Sequence, residues 1–398
     1  MKKFVIGFFV FGVIAFLSVT VSPFEESLEK ATGEDANPNA KLVPVEGKIY
    51  HAMSPDAFSG WNNISDPSII SEHEDLVGKG ISWISVTNTW FPRGVANECL
   101  NGQRNFFDRG IHFPRNDVEK VVRSGNIPSI RMFPYDRCIT SDYEKYKLEN
   151  FIDGKFDEEI RAWAREAKSI PSPLLVTFGV EVNGFWFPWN LRYNGGLEKT
   201  EYGDPELYDG HERFRDAYRR IIDIFRDEGV QNVTWFYHVN CIWDSDIGNP
   251  EASVDGYYPG DDYIDWIGVS CYGSQNPKND FWWDMSLTFD NVYQQITESN
   301  MISEEKPIAL MEYGVTEDER KPEWMEDFFE DIVSGRYPRL KALSWWQSEF
   351  CVVYDETEDQ GCAQWTDIRV NSSQEALGVY RDYMSHDVFI GEARFEER

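Results

Sequence analysis

The sequence is short of positive charge: 38 Lys and Arg stand against 69 Asp and Glu, a net −31 over 398 residues. Nucleic acids and anionic membrane surfaces are bound by clustered basic side chains, so neither is expected as a partner. The acidic residues are spread along the chain instead of run together, which describes a solvated acidic surface. Metal-ligand spacing is missing as well. No CxxC or HxxxH pair occurs among the six Cys and six His, and neither a metal nor another cofactor is expected. No GxGxxG follows the first apolar segment, which counts against a dinucleotide fold. From about Lys48 onward no break in composition divides the chain, so residues 47–398 are expected to form one elaborated domain.

What is present begins with Lys2 and Lys3 ahead of an apolar run from Phe4 to Val21. That pattern fits an export signal over 1–22, and the run is also long enough for a retained membrane anchor through residues 4–21. No cysteine lies in or just after it, which counts against a lipoprotein anchor. Residues 23–46 are rich in Glu, Ala, Asn and Pro without a period and read as a flexible acidic tether. Either reading of the leader places the rest of the chain outside the cytoplasm, secreted or anchored. The cysteines at 99, 138, 241, 271, 351 and 362 fit an oxidising compartment. Fifteen connectivities are open to six cysteines. Cys351 with Cys362 is expected to close one short loop, and Cys99 with Cys138 to join two others.

Eight short apolar segments recur along the remainder: KIYHAM (48–53), ISWISVTNTW (81–90), IPSIRMFPY (127–135), LLVTFGVEV (174–182), VTWFYHVN (233–240), IDWIGVSCYG (264–273), KPIALMEYG (306–314) and LKALSWWQ (340–347). Near-continuous apolar strands are those buried on both faces, as in parallel sheets. Between them lie amphipathic stretches such as 156–170 and 212–229, with apolar positions three and four apart. Eight strands alternating with helices predict an α/β fold, a (β/α)8 TIM barrel.

In such barrels the chemistry sits at the C-terminal strand ends. Those ends bring up Arg131 on the third strand, Glu181 on the fourth, Asn240 on the fifth, Tyr272 on the sixth, Glu312 on the seventh and Trp346 on the eighth. Two carboxylates on strands four and seven can face each other across the mouth. Glycoside cleavage uses such a pair, one protonated to serve the leaving oxygen and one ionised to attack the sugar. The stretch FGVEVNGFWFPWN (178–190) adds Trp186, Phe187 and Trp189 beside Glu181. Indole planes match the apolar faces of sugars. Singly, each of these residues has an ordinary structural explanation; together they point to a retaining glycosidase.

The same motifs carry a family resemblance. GVEVNGFWFPWN is similar to the acid/base motif of glycoside hydrolase family 26, best known for β-mannanases. The resemblance implies an acid/base at Glu181 with support from Asn183. YYPGDDYIDWIGVSCYG (257–273) resembles the family's stretch into strand six, which puts the tyrosine that touches the nucleophile at Tyr272. KPIALMEYG resembles the nucleophile strand, which implies that role for Glu312. The sugar-stacking tryptophan of strand eight falls on Trp346 in preference to Trp345. The likeness spans about 48–350. Two positions depart from the family pattern: Val180 stands where the family usually has His, and Gln347 where its mannanases often have Arg. Both positions touch sugar hydroxyls in the family. The implied function is a secreted, monomeric, retaining endo-β-glycanase, a β-1,4-mannanase first, with β-1,3-xylan or mixed-linkage β-glucan as other substrates. A barrel that binds glycan without turnover is the rival from another class. Trp186, Trp189, Asn183, Asn240 and Arg131 complete the expected sugar-binding set.

Overall fold

The computed structural model describes residues 39–55, 68–90, 110–134, 145–200, 202–276, 281–354 and 362–396. Eight parallel strands close into a barrel: β1 (Ile49–Pro55), β2 (Trp83–Thr89), β3 (Ile127–Phe133), β4 (Leu174–Phe178), β5 (Val233–Asn240), β6 (Trp266–Tyr272), β7 (Ile308–Gly314) and β8 (Leu340–Gln347). Closure comes from β1 pairing with β8 in register, Tyr50 opposite Ala342 through Pro55 opposite Gln347. Helices α1 (Ser68–Val77), α2 (Arg115–Arg123), α3 (Leu148–Ile152), α4 (Asp157–Lys168), α5 (Asp209–Asp227), α6 (Met285–Glu298) and α7 (Lys321–Val333) fill the crossovers. The β5–β6 connection departs from that alternation. It holds two single 3-10 turns, Asp244–Asp246 and Pro250–Ala252, in place of a helix. After β8 come an antiparallel hairpin, β9 (Glu349–Tyr354) with β10 (Cys362–Asp367), then α8 (Gln374–Met384) and a short β11 (Phe389–Ile390) beside β1.

Side chains inside the barrel change character along its axis. At the bottom Tyr50, Trp83, Leu175, Phe236 and Trp266 fill the lumen, with Phe236 and Trp266 stacked at 5.6 Å. The middle is polar: Ser54 Oγ bonds Ser85 and Ser344 at 2.8 and 2.9 Å. Gly268 belongs to this level because a Cβ there would lie 2.8 Å from Met311 and 3.4 Å from His238. Charged groups appear only at the top. Outside the strands, α5 lays Phe214, Ala217, Tyr218 and Ile221 against the sheet. Truncating one such buried ring costs about 3–5 kcal/mol.

Part of the stretch expected to be a tether belongs to the folded unit. Lys41–Leu42 pairs with Phe395–Glu396, Leu42 is fully buried, and its carbonyl accepts from Trp266 Nε1 at 3.0 Å across the barrel bottom. The domain therefore begins near Ala40 and not at 47, because an apolar leucine caps a lumen that would otherwise be open to water. The leader, residues 23–38, Cys99 and Cys138 lie outside the described residues. The Cys351–Cys362 disulfide is present and ties β9 to β10. A second, Cys241–Cys271, joins the ends of β5 and β6, a pairing the sequence did not single out. No described helix is long and apolar enough to cross a membrane.

Candidate active site

Strand β4 stops at Phe178, so Glu181 stands on a loop and not at the strand's last residue. The stop is built in. The Phe178 amide donates to Tyr218 Oη at 3.2 Å, and that hydroxyl donates on to the β5 carbonyl of Phe236 at 2.6 Å. Gly179 then turns the chain at φ +64; a Cβ there would lie 2.9 Å from the Phe214 ring and 3.2 Å from Trp189. Glu181 itself has φ +51, the one non-glycine residue in the left-handed region among those described. An L-residue held there costs about 1–2 kcal/mol, so the surroundings must impose it.

They do so through three bonds. Trp189 Nε1 donates to Val180 O at 2.7 Å, Asn190 Nδ2 to Val182 O at 2.9 Å, and the Val182 amide to His238 O at 3.3 Å. Trp189 is thus corrected from a sugar platform to a loop staple: it is fully buried, stacked on Phe187 at 4.5 Å, and shows no face to the cleft. Asn183 is likewise a brace and not a wall of the cleft. Its Oδ1 accepts from the Asn240 amide at 2.6 Å and its Nδ2 donates to the Asn240 carbonyl at 3.1 Å, pinning the Glu181 loop to β5.

Glu312 reaches the lumen by a different device. Along β7, alternation sends Ala309 and Met311 inward, which would turn Glu312 outward. A register irregularity between Leu310 and Glu312 against β6 resets the phase and sets Glu312 opposite Ser270. Bulges commonly re-aim a side chain in this way. Its Oε1 accepts from Arg131 Nη1, and its Oε2 from Tyr272 Oη at 2.9 Å. Arg131 is fixed in turn by Thr87 Oγ1 at 2.5 Å, and its guanidinium lies 5.1 Å from the Trp346 ring centre.

These groups line one cleft of about 670 Å³ at the C-terminal strand ends. Glu181, Glu312, Arg131, Tyr272, Asn240, Trp346, Trp186 and Phe187 are all on its wall. Trp186 is half-exposed and donates from Nε1 to Glu181 Oε2 at 2.8 Å. Sequence reasoning missed Trp243 and Trp283, packed edge to face at 4.7 Å, together with Phe350 from the β9–β10 hairpin, Gln275 and Asn276. The available signal was aromatic density just past strand ends, in NCIWD and FWWD. Val180 is a buried apolar part of the wall. Gln347 turns away: its amide is held by the Val370 amide and the Asn371 side chain.

Electrostatics separate the two carboxyls. Burial, then repulsion from Glu312, pushes Glu181 up to about 7. Burial also raises Glu312, but the Arg131 cation and the Tyr272 hydroxyl pull against it. Tyr272 is driven well above the usual phenol range by burial and by both carboxylates, so it stays a proton donor. One carboxyl is therefore suited to hold a proton near neutrality, and the other is wired to a cation. Among the described residues no group of three His, Cys, Asp or Glu is placed to hold a metal ion.

A parallel eight-stranded barrel with a carboxyl pair and an aromatic cleft at its C-terminal mouth is an architecture suited to glycoside hydrolysis. The sequence of residues 120–328 matches the model of glycosyl hydrolase family 26, and the chain belongs to that family. It is 28% identical over 291 residues to endoglucanase H of Acetivibrio thermocellus, covering 72% of this chain and 27% of that protein. It is 23% identical to a β-1,3-xylanase of an Alcaligenes species, over 60% of this chain and 44% of that one. The chain thus spans between about a quarter and under half of these relatives' lengths. Among solved structures, a Cellulomonas fimi endo-β-1,4-mannanase double mutant superposes with a TM-score of 0.56 at 14% identity, covering 93% of this chain and 76% of that one.

Proposed function

We propose that the chain is an exported, retaining endo-β-glycanase acting on a plant- or algal-type polysaccharide, β-1,4-mannan first. The observation that carries the reading is the division of labour in the carboxyl pair: Glu181 is pushed to about 7 beside an exposed indole, and Glu312 is tied to Arg131 and Tyr272. Glu181 gives its proton to the glycosidic oxygen as the bond to C1 breaks, and Glu312 Oε forms an ester to C1. The agluconic sugar leaves. Glu181, now ionised, takes a proton from water, whose oxygen attacks C1 and releases Glu312. Two inversions restore the starting configuration. Trp346, Trp186, Trp243 and Trp283 supply flat apolar faces for successive sugar rings. Export is supported by the charged start and apolar run of the first 22 residues and by the two disulfides.

A specific observation favours a second substrate. Val180 offers no hydrogen bond where the family's histidine meets a sugar hydroxyl, and Gln347 is occupied by the 370–371 loop. Mannan differs from glucan at the 2-hydroxyl, and an apolar wall discriminates such isomers weakly. Mixed-linkage β-glucan is therefore the runner-up, and the likeness to a protein named endoglucanase agrees with it. Reducing-sugar release from β-mannan, mixed-linkage β-glucan and β-1,3-xylan tests both. Release from mannan at ten times the rate on the others supports the first reading. Equal or better release from β-glucan supports the second. Affinity without product from any of them overturns catalysis.

A further inference from the structure

We propose that Gly184 is a positioning residue for the acid/base: its bare Cα makes room for the Trp186 indole to lie back over the turn and hold one oxygen of Glu181, so that the proton to be transferred sits on the other. The inference rests on Glu181 serving as the acid/base.

The segment from Glu181 to Gly184 closes as a turn, the Gly184 amide donating to Glu181 O at 2.8 Å. Asn183 anchors that turn to β5 through the Asn240 amide and carbonyl. Two residues on, the Trp186 ring folds back over the turn and covers Gly184, which is buried. The backbone there does not call for glycine, because Gly184 is not among the residues at positive φ. Space does. A Cβ at 184 would lie 2.5 Å from Cε2 and 2.8 Å from Cη2 of the indole, well inside van der Waals contact. Cε2 is bonded to Nε1, so the edge resting on Gly184 is the edge that presents the N–H. From that edge Nε1 reaches Glu181 Oε2 at 2.8 Å. On its other sides the ring meets Phe185 and Phe187 edge to face at 5.2 and 6.3 Å, and it is half-exposed. A methyl group at 184 would therefore lift the indole outward and leave the core undisturbed.

The bond assigns the two oxygens. A neutral carboxyl has one oxygen that accepts and one that carries the proton, and an indole N–H can only donate. Its contact with Oε2 marks that oxygen as the acceptor and leaves the proton on Oε1. After the proton has gone to the leaving oxygen the same bond strengthens, because a donor to a charged group binds more tightly. It therefore favours the carboxylate and opposes burial, which favours the acid. The titratable groups facing Glu181 are Glu312 on β7, Arg131 on β3 and Tyr272 on β6. Those three stand on barrel strands, whereas the indole comes from the loop that carries Glu181, and Gly184 sets its place there.

The test is the pH profile of the purified enzyme on its best glycan and on a dinitrophenyl glycoside. The alkaline limb of kcat/KM on the glycan reports loss of the Glu181 proton. Removing a donor to the carboxylate raises the pH at which that proton is lost. Trp186→Phe keeps a flat ring without the N–H, so its limb should move up by about one pH unit, the size expected for one hydrogen bond to a charged group. Gly184→Ala should move the limb equally, and should also raise KM about three- to tenfold, the worth of one displaced ring. The double variant should show no further shift, since both changes break the same bond. On the dinitrophenyl substrate, whose leaving group needs no proton, the limb of kcat/KM should stay in place. Gly184→Ala should fold as the parent does, because the ring it displaces is half in solvent, and a variant that does not fold contradicts the proposal. An unmoved limb in Gly184→Ala, additive shifts in the double variant, or an equal shift on the dinitrophenyl substrate each overturn it. Glu181→Ala in the same assay separates the layers: leaving-group dependence there with an unmoved Gly184→Ala profile removes only this inference, and its absence removes the acid/base reading itself.

Discussion

Glu312 lies within a barrel strand and is held by charge, whereas Glu181 lies three residues past a strand end and is held by backbone geometry and an indole. The first is over-determined: Arg131 on β3 and Tyr272 on β6 each take one oxygen, and a bulge aims the side chain. Burial raises this carboxyl, and the Arg131 cation and Tyr272 hydroxyl oppose the rise. The second is poised: it sits at φ +51 on a loop stapled by Trp189, Asn190 and Asn183, beside the exposed Trp186 donor. One amino acid thereby receives two chemistries from placement alone. In the proposed mechanism a strand supplies rigidity to the attacking group, and a pinned loop supplies the desolvation that keeps the other protonated.

The sharpest way to break that comparison is to remove each side chain in turn. Glu312→Ala deletes the proposed nucleophile, so activity should fall by roughly 10⁴–10⁶-fold on natural and activated substrates alike. Michaelis–Menten rates on a polysaccharide and a dinitrophenyl glycoside check it, and a loss confined to one substrate class would contradict the assignment. Glu181→Ala should behave differently. On the glycan, loss of acid–base help is about 10²–10⁴-fold. On dinitrophenyl glycosides, whose leaving group needs no proton, the glycosyl-enzyme should form and accumulate. Azide should then speed turnover by attacking without a general base, which product analysis would detect as a glycosyl azide. Equal losses on both substrates without azide rescue would mean the two sites do not differ in role.

The legibility of these features in the sequence follows the range of the forces that make them. The eight strands could be read because each is a local run of residues buried on both faces; β5 and β8 have the very bounds expected from their segments. Glu181 and Glu312 were found as strand-end carboxylates, but the devices that aim them were not. The bulge before Glu312 depends on the register with β6, and the left-handed turn at Glu181 on packing of Gly179 against Phe214 and Trp189. Both are contacts between distant segments. Trp189 was misread for the same reason: in FWFPWN every aromatic looks alike, and only the fold decides that Trp186 faces the cleft while Trp189 faces Phe133 and Phe187. Trp243 and Cys241 sit on the helix-free β5–β6 connection, where the alternating pattern gave no reason to look. The leucine that caps the barrel bottom was hidden in a polar stretch, since one buried residue makes no period.

The smallest expected effect concerns stability and isolates the cost of the poised group. The Glu181 carboxyl titrates near 7 in the folded chain against an ordinary 4.5, because burial and the Glu312 charge penalise its ionised form. The folded state therefore keeps this proton to higher pH than the unfolded state does. As pH rises from about 4.5 to about 7, the unfolded chain ionises first and stability falls; above 7 the whole cost is present. Glu181→Gln keeps the shape and removes the ionisation. It should be more stable than the parent by about 1–3 kcal/mol at pH 8, a range kept below the full shift because the cleft admits water. At pH 5 the two should differ by less than about 1 kcal/mol. Urea unfolding midpoints at the two pH values measure this directly. Glu312→Gln should show the opposite balance, since it strands the buried Arg131 cation without its partner, and should lose stability at both pH values. A Glu181→Gln difference that is the same at pH 5 and pH 8 would show that ionisation of Glu181 carries no stability cost, and the electrostatic half of the comparison would go.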